Sequence, residues 1–137
     1  MKIVATIQAR MGSTRLPKKV MIPIMGRPLL GYMVERVRRS RFLDDVIVAT
    51  STNSLDDQIE EFCRVEDIAV FRGSEDDVLS RIVGAIKQYQ IDTLVELYGD
   101  CPLVDPTILD EMISFFSDGK YDCVFNALTP TFPSGLE

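Results

Sequence analysis

Short apolar runs and amphipathic segments alternate along the chain. Each apolar run has the length of a buried β-strand, and together they predict strands at 3–7, 45–50, 68–71, 93–98 and 121–127. Between them, apolar residues recur at helical spacing and predict helices at 28–41, 55–64, 76–89 and 105–116. We expect residues 20–24 to be short and extended, and residues 129–137 to form a loop.

This alternation predicts an α/β fold with a mostly parallel sheet and helices on both faces, joined by right-handed crossovers. No break in composition divides the sequence, so we expect a single domain over residues 1–137. In such sheets ligands bind at the carboxyl ends of the strands. The loops predicted at that edge are 8–19, 50–54, 72–77 and 99–105.

Composition supports a folded domain and excludes several classes of function. Of the 137 residues, 46% are hydrophobic, and no apolar run approaches the length of a membrane span. The first nine residues lack the pattern of a secretory signal, and the three cysteines are too scattered for a disulfide framework or a zinc site. We therefore expect a cytoplasmic protein with no membrane partner. Because the sequence has no histidine, imidazole chemistry is excluded.

Charge is distributed very unevenly along the chain. The first 43 residues carry ten basic side chains and one acidic one, whereas the remainder carries five basic and twenty acidic ones. This asymmetry indicates an anion site in the first third of the chain. The net charge of −6 argues against nucleic acid as the partner, because duplex-binding domains are usually basic.

The basic residues concentrate in the segment 8–19, QARMGSTRLPKK, which has no acidic residue. It follows the first predicted strand, and the turn at Gly12 and Ser13 allows backbone N–H groups to face an anion while Arg10 and Arg15 grip phosphate oxygens. A nucleoside triphosphate fits this pattern, although the segment lacks a complete P-loop motif. The alternative is a solvated turn whose cations balance an acidic body.

Asp100 follows the fourth predicted strand and is the best candidate for a magnesium ligand, since Mg²⁺ usually binds one or two carboxylates together with substrate phosphates. An equally good alternative is that Asp100 caps the turn before Pro102. Cys101 has no base to activate it and is interpreted as a small buried hydrophobe.

Other charged clusters have simpler explanations. Ser74 and the acidic residues after it suit a helix N-terminus, whereas Arg72 is expected to face the site from a strand end. The basic residues at 36–41 are interpreted as a solvated helix end. The acidic pairs at 44–45 and 56–57 precede a strand and open a helix, and we assign them no chemistry.

Five motifs in order, QARMGSTRLPKKV, GRPLL, ATSTN, FRGSEDDVL and YGDCPLVDP, resemble the cytidylyltransferase family that contains spore coat polysaccharide biosynthesis protein F. Acylneuraminate and 3-deoxy-manno-octulosonate cytidylyltransferases are relatives of that family. The resemblance implies a Rossmann-like, GT-A-like α/β/α fold of the nucleotide-diphospho-sugar transferases. It also implies transfer of CMP from CTP to a sugar, with pyrophosphate released and Mg²⁺ required, in surface or spore-coat polysaccharide biosynthesis.

The resemblance also assigns roles to individual residues. Triphosphate binding falls on Ala9, Arg10, Gly12, Ser13, Arg15 and Lys19. The cytidine pocket falls on Thr50, Ser51, Arg72 and Ser74. The magnesium aspartate of the family is Asp100, and the residues expected to carry the reaction are Arg10, Arg15, Lys19 and Asp100.

Two departures from the family pattern stand out. Lys18 occupies the position where many relatives have glycine. The sequence also ends about where relatives continue into the sugar site, the dimer contacts and a second metal-binding aspartate, so we expect a domain truncated at its C-terminus. Two alternatives remain open, namely a nucleotidyltransferase of the same fold with another base or acceptor, and a non-catalytic nucleotide-binding fragment. A homodimer is possible by the resemblance, and the sugar is not identified.

Overall fold

A computed structural model describes residues 1–13 and 15–126 of the chain. Six strands and four α-helices follow one another in these residues. The strands are β1 (Ile3–Gln8), β2 (Pro23–Ile24), β3 (Arg27–Pro28), β4 (Asp45–Ser51), β5 (Ala69–Gly73) and β6 (Thr93–Tyr98). The helices are α1 (Leu29–Val37), α2 (Asp57–Val65), α3 (Val78–Tyr89) and α4 (Pro106–Ser117). Short 3-10 helices precede β2 at Lys19–Met21 and α2 at Ser54–Asp56.

The main sheet has four parallel strands in the order β5-β4-β1-β6. Strand β1 is central, with Val4 opposite Asp45 of β4 on one side and opposite Leu94 of β6 on the other. Parallel neighbours require crossover connections, and the helices between the strands supply them. All four strands therefore end at the same edge, as the sequence pattern predicts.

Helices cover both faces of this sheet. Alternate residues of β1, such as Ala5 and Ile7, pack in one core cluster with apolar residues of α1, α2 and α4. Val4, whose side chain points to the opposite face of the sheet, belongs to a second, smaller cluster on the face that α3 covers. Successive side chains of a strand point to opposite faces of the sheet. Because helices cover both faces here, almost every residue of β1 is buried. The predicted α/β/α arrangement with a mostly parallel sheet is confirmed.

The chain between β1 and α1 differs from the expected extended segment at 20–24. Residues Lys19–Met21 form a 3-10 turn, and β2 pairs with β3 as a small antiparallel hairpin. Met25 and Gly26 both have positive φ, 49° and 83°, as a tight two-residue hairpin turn demands. The run of apolar residues at 20–24 was too short to distinguish a turn from a strand.

The predicted strand at 121–127 is wrong over its described part, because residues 121–126 form no strand, and residue 127 lies outside the described residues. Tyr121 instead stacks on Phe115 of α4, with ring centroids 4.9 Å apart. Tyr121, at the start of the predicted strand, thus packs on a helix. The predicted loop at 129–137 also lies outside the described part.

The basic segment at 36–41 is more than a solvated helix end. Arg36 donates to the carbonyl oxygen of Val104 at 3.0 Å, and Arg41 pairs with the buried Asp110 at 2.9 Å. These contacts tie the end of α1 to α4 and to the loop before it. None of the helices in the described part of the chain has the length and apolar character needed to span a membrane.

Candidate functional site

Hydrogen bonds join the four loops at the carboxyl edge of the sheet. The loop after β1 reaches the loop after β6 through Lys19 and Asp100, 3.0 Å apart. Strand β4 is joined to β5 beyond the ladder, since the Thr52 amide donates to the Gly73 carbonyl oxygen at 2.9 Å. The structure therefore brings the predicted site segments together at one edge, as the topology requires.

The ion pair between Lys19 and Asp100 lies at the open side of this edge. The Asp100 side chain is 42% exposed, so water and a ligand can reach the carboxylate. The hydrogen bond from Lys19 is the main cause that holds the pKa of Asp100 below its ordinary value, and the charges of Lys19 and Arg15 add to it against the effect of burial. Asp100 is thus an ionised carboxylate beside a cationic loop.

Gly99 sets the approach of this aspartate to β1. Its amide donates to the Gln8 carbonyl oxygen at 2.8 Å, which continues the β1–β6 pairing by one residue. A Cβ atom at this position would lie 2.7 Å from the same carbonyl oxygen, closer than real contacts allow. Glycine is therefore required here by the close approach of two backbones.

Lys18 adopts a left-handed conformation with φ of 60° and ψ of 18°. Such a conformation favours glycine, which adopts it without steric cost, so Lys18 is strained at the position where many relatives have glycine. The strain lies directly before Lys19, at the turn that directs the Lys19 ammonium to Asp100.

At the inner end of the loop after β1, the chain is held by a buried carboxylate. The Met11 amide donates to Asp56 Oδ1 at 2.7 Å, and the Ser51 amide donates to Asp56 Oδ2 at 3.1 Å. The Ser51 hydroxyl also donates to Asp56 Oδ2. Asp56 stands at the N-terminus of α2, as the interpretation of the 56–57 pair as helix-opening acids expects, but its side chain makes no capping bond there and instead binds Met11 and Ser51.

The predicted triphosphate residues occupy both ends of this loop. Arg10, Gly12 and Arg15 are exposed, whereas Ala9 is buried and donates its amide to the Ala49 carbonyl oxygen at 3.1 Å. The Ser13 amide donates to the Met11 carbonyl oxygen at 2.9 Å, which closes a turn within the loop. Three cationic side chains, those of Arg10, Arg15 and Lys19, thus stand on a loop whose backbone is fixed from inside.

Two residues assigned to the cytidine pocket are completely buried at the end of β4. Thr50 and Ser51 both have 0% exposure. Ser51 is engaged by Asp56, whereas the Thr50 hydroxyl has no hydrogen-bond partner within the described residues. Because both side chains are fully buried, neither is exposed at the open edge.

Arg72 points along α2 and not into the open edge. It pairs with Asp57 at 2.7 Å and also with Glu60, and it donates to the carbonyl oxygens of Ser51 and Asn53, each at 2.9 Å. Burial disfavours the charge of Arg72, but the hydrogen bonds with the two carboxylates outweigh it and raise the pKa. Strand alternation explains the direction, because Arg72 shares a face with Val70, which packs on the main core cluster.

Ser74 is exposed, and its hydroxyl accepts from the Asp77 amide at 3.0 Å at the start of α3, as the capping interpretation expects.

The inner side of the same loop is held by Arg81, which the sequence analysis missed. Arg81 is buried and donates to the carbonyl oxygens of Ser74 and Glu75 and to Gln8 Oε1. Burial and the nearby charge of Arg10 lower the pKa of Arg81.

A metal ion at this edge would depend on few protein ligands. Within residues 1–13 and 15–126, no group of three or more histidine, cysteine, aspartate or glutamate side chains is arranged to hold a metal. Asp100 is an exposed carboxylate that can supply one oxygen ligand, which suits Mg²⁺ bound mostly by phosphates and water. Cys101 is half-buried, with its sulfur 3.9 Å from Asp100 Oδ1, so the interpretation as a small buried hydrophobe is confirmed only in part.

Comparison with known proteins assigns the family. A model of the cytidylyltransferase family matches residues 4–132. The chain belongs to the cytidylyltransferase family. This cytidylyltransferase chain is 44% identical over 131 residues to the spore coat polysaccharide biosynthesis protein SpsF of Bacillus subtilis, with 91% of the chain and 55% of SpsF covered. It is also 37% identical to the 3-deoxy-manno-octulosonate cytidylyltransferase of Bdellovibrio bacteriovorus, with 86% of the chain and 47% of that enzyme covered.

Solved structures agree with this assignment. A cytidylyltransferase from Leptospira borgpetersenii superposes with a TM-score of 0.91 at 43% identity, covering 99% of this chain and 58% of that one. A CMP:2-keto-3-deoxy-manno-octonic acid synthetase complexed with CTP superposes with a TM-score of 0.74 at 26% identity, covering 87% of this chain and 48% of that one. This cytidylyltransferase chain thus spans about half the length of the curated relatives that it matches.

Proposed function

We propose that the chain is the CTP-binding part of an enzyme that transfers CMP from CTP to a sugar hydroxyl and releases pyrophosphate. The observation that supports this most is the contact of Lys19 with Asp100, 3.0 Å apart, in a chain of the cytidylyltransferase family. It places a cationic loop and an exposed carboxylate side by side, where one triphosphate with its metal ion would need both.

In this proposal Arg10, Arg15 and Lys19 neutralise the triphosphate. The α-phosphorus becomes more open to an attacking hydroxyl as the charge on its oxygens is balanced, and pyrophosphate leaves more easily for the same reason. Transfer of this type depends on positioning and charge neutralisation, with little covalent chemistry for the protein to perform. The absence of histidine from the sequence is therefore compatible with catalysis.

Mg²⁺ is the proposed metal ion, and Asp100 is the proposed protein ligand. The single exposed carboxylate fits a cation that is otherwise bound by phosphate oxygens and water. Bound there, Mg²⁺ would supply positive charge to the phosphate oxygens. Lys19 would then exchange its contact with Asp100 for a phosphate oxygen, and the ion pair would open on nucleotide binding.

The cytidine pocket is proposed at the ends of β4 and β5. Thr50 and Ser51 would support it from behind, because their side chains are buried. Arg72 would contribute through the carbonyl oxygens of Ser51 and Asn53, which it holds in place. Ser74 is exposed on the loop after β5, where a nucleoside could contact it.

The acceptor is proposed to be a sugar of the nonulosonic type or another polysaccharide precursor, because the relatives named above include SpsF and a 3-deoxy-manno-octulosonate cytidylyltransferase. A role in surface or spore-coat polysaccharide biosynthesis in the cytoplasm, with no nucleic-acid partner, follows from the same proposal. Assembly as a homodimer stays a prediction.

Isothermal titration of the four nucleoside triphosphates with Mg²⁺ tests the proposal. CTP should bind most tightly, and Arg15→Ala should weaken it at least about tenfold through loss of a charged contact to phosphate. Arg64→Ala is the matched control, since Arg64 pairs with Glu61 on the outer surface of α2. Absence of binding to the folded protein, or equal binding of all four nucleotides, would overturn the proposal.

Pyrophosphate release with CTP and candidate sugars then separates catalysis from binding. Turnover would establish the transferase activity for this chain. CTP binding without turnover on any acceptor would limit the chain to the nucleotide-binding part and would favour the alternative of a non-catalytic fragment.

A further inference from the structure

Asp56 is a buried carboxylate without an ion-pair partner in the described part of the chain. It is 2% exposed, and its hydrogen-bond donors are the Met11 amide and the amide and hydroxyl of Ser51. Burying a carboxylate is costly, and these three hydrogen bonds offset part of that cost. They join two loops that are 40 or more residues apart in the sequence, since Asp56 and Met11 are separated by 45 residues.

Met11 makes the central backbone hydrogen bonds of the basic loop, residues 8–19. Its side chain is buried with 3% exposure, and its carbonyl oxygen accepts from the amides of Ser13 and Lys18 at 2.9 and 3.1 Å. Its own amide is the group that Asp56 holds. Met11 is thus hydrogen bonded to Ser13 and Lys18 within the loop and, through Asp56, to Ser51 at the end of β4.

We propose that Asp56 is a positioning residue for the triphosphate, acting through Met11 on the loop that carries Arg10, Arg15 and Lys19. This inference rests on the proposed function and adds to it a residue that does not touch the nucleotide. Asp56 also accepts hydrogen bonds from Ser51. The same buried carboxylate therefore binds both the basic loop, through Met11, and a residue assigned to the cytidine pocket.

The sign of the effect distinguishes positioning from simple electrostatics. A negative charge behind an anion site repels the anion, so its neutralisation alone would strengthen triphosphate binding. If Asp56 positions the loop, its replacement by asparagine weakens binding, because asparagine keeps only one of the two acceptor oxygens and turns an NH2 group toward either the Met11 amide or the Ser51 donors. A purely structural role would lower the unfolding temperature without changing the relative affinities of two nucleotides for the folded protein.

The test compares CTP with CMP, which share the base, the ribose and the α-phosphate. Dissociation constants are measured with Mg²⁺ for the wild type, Asp56→Asn and the control Glu61→Gln, at a temperature where circular dichroism shows each protein folded. Glu61 lies on α2, and its polar partner within residues 1–13 and 15–126 is Arg64, so Glu61→Gln removes one charge without changing a bond to the loop. Hydrogen exchange of the Met11 amide is followed in the same samples.

We expect Asp56→Asn to reduce the preference for CTP over CMP about tenfold and to speed exchange of the Met11 amide, with Glu61→Gln unchanged. An unchanged or increased preference for CTP in folded Asp56→Asn would overturn the inference. If Asp56→Asn does not fold, Ser51→Ala replaces it, and an unchanged preference there has the same consequence. Failure of the wild type to bind CTP would instead overturn the proposed function.

Discussion

The two ends of the basic loop are each held by an aspartate, but in opposite ways. At the inner end, Asp56 is 2% exposed and accepts hydrogen bonds from uncharged donors of Met11 and Ser51. At the outer end, Asp100 is 42% exposed and is held by a single ion pair with Lys19. The Asp56 carboxylate is engaged by three donors of the protein, whereas the Asp100 carboxylate can exchange Lys19 for a ligand.

This difference shows that proximity to a cationic loop does not define the role of an acidic residue. A buried carboxylate bonded to backbone amides stabilises one conformation, and its removal leaves donors without acceptors. An exposed ion pair contributes little to stability, because water screens it and both side chains lose entropy. Substitution of Asp56 should therefore lower the free energy of unfolding much more than substitution of Asp100. Substitution of Asp100 should instead change the magnesium dependence of ligand binding.

The largest effect is expected from Asp56→Ala. Three buried donors would lose their acceptor, so the free energy of unfolding should fall by roughly 3 kcal/mol or more. Urea denaturation monitored by circular dichroism measures this change. The matched variant Asp100→Ala should lose less than about 1 kcal/mol, as is typical of exposed ion pairs. Equal losses in the two variants would contradict the distinction between the two ends.

The next effect concerns the glycines beside the two ends. Gly99→Ala would place a Cβ atom 2.7 Å from the Gln8 carbonyl oxygen, so the backbone must shift. We expect a loss of about 2 kcal/mol from this overpacking. Gly12→Ala is the control, because among the described residues its Cβ would meet Glu75 Oε1 alone, at 3.8 Å. Its unfolding free energy should change by less than about 0.5 kcal/mol. A Gly99→Ala protein as stable as Gly12→Ala would show that the close approach is not required.

A smaller effect of opposite sign is expected at Lys18. Because Lys18 has φ of 60°, Lys18→Gly should relieve strain and stabilise the protein by about 0.5–1 kcal/mol. Lys18→Ala removes the same charge but retains the strain, so it separates conformation from charge. Thermal unfolding of both variants measures the difference. Equal midpoints for the two variants would contradict the conformational explanation.

The smallest effect is the pH dependence of the outer end. The pKa of Asp100 is lowered mainly by the hydrogen bond from Lys19, so the stability from this pair is present above the unfolded pKa and is lost as pH falls through the folded pKa. Screening keeps the contribution below about 1 kcal/mol. In Lys19→Met the pKa of Asp100 should rise toward its ordinary value, as carboxyl NMR titration can show. An unchanged pKa would mean that Lys19 does not hold this carboxylate in solution.

Sequence patterns predicted the four strands of the main sheet, their parallel arrangement and the edge at which the loops meet, because periodicity is a local property and topology follows general rules. The roles of Asp56 and Arg81 were not predictable in the same way, since their partners are distant backbone groups. Asp56 was interpreted only as an acid that opens a helix, and nothing in the sequence singled out Arg81. For Arg72 a signal was available, because Asp57 and Glu60 lie three residues apart on α2 and strand alternation directs Arg72 toward that helix.

The most direct test of the account is the magnesium dependence of CTP binding in Asp100→Asn and Asp56→Asn. Titrations are run with Mg²⁺ and with EDTA, and the ratio of the two affinities is compared with that of the wild type. We predict that Asp100→Asn loses most of this ratio, whereas Asp56→Asn binds more weakly in both conditions and keeps the ratio. Full magnesium dependence in Asp100→Asn would contradict the claim that the outer aspartate is the one that serves the ligand.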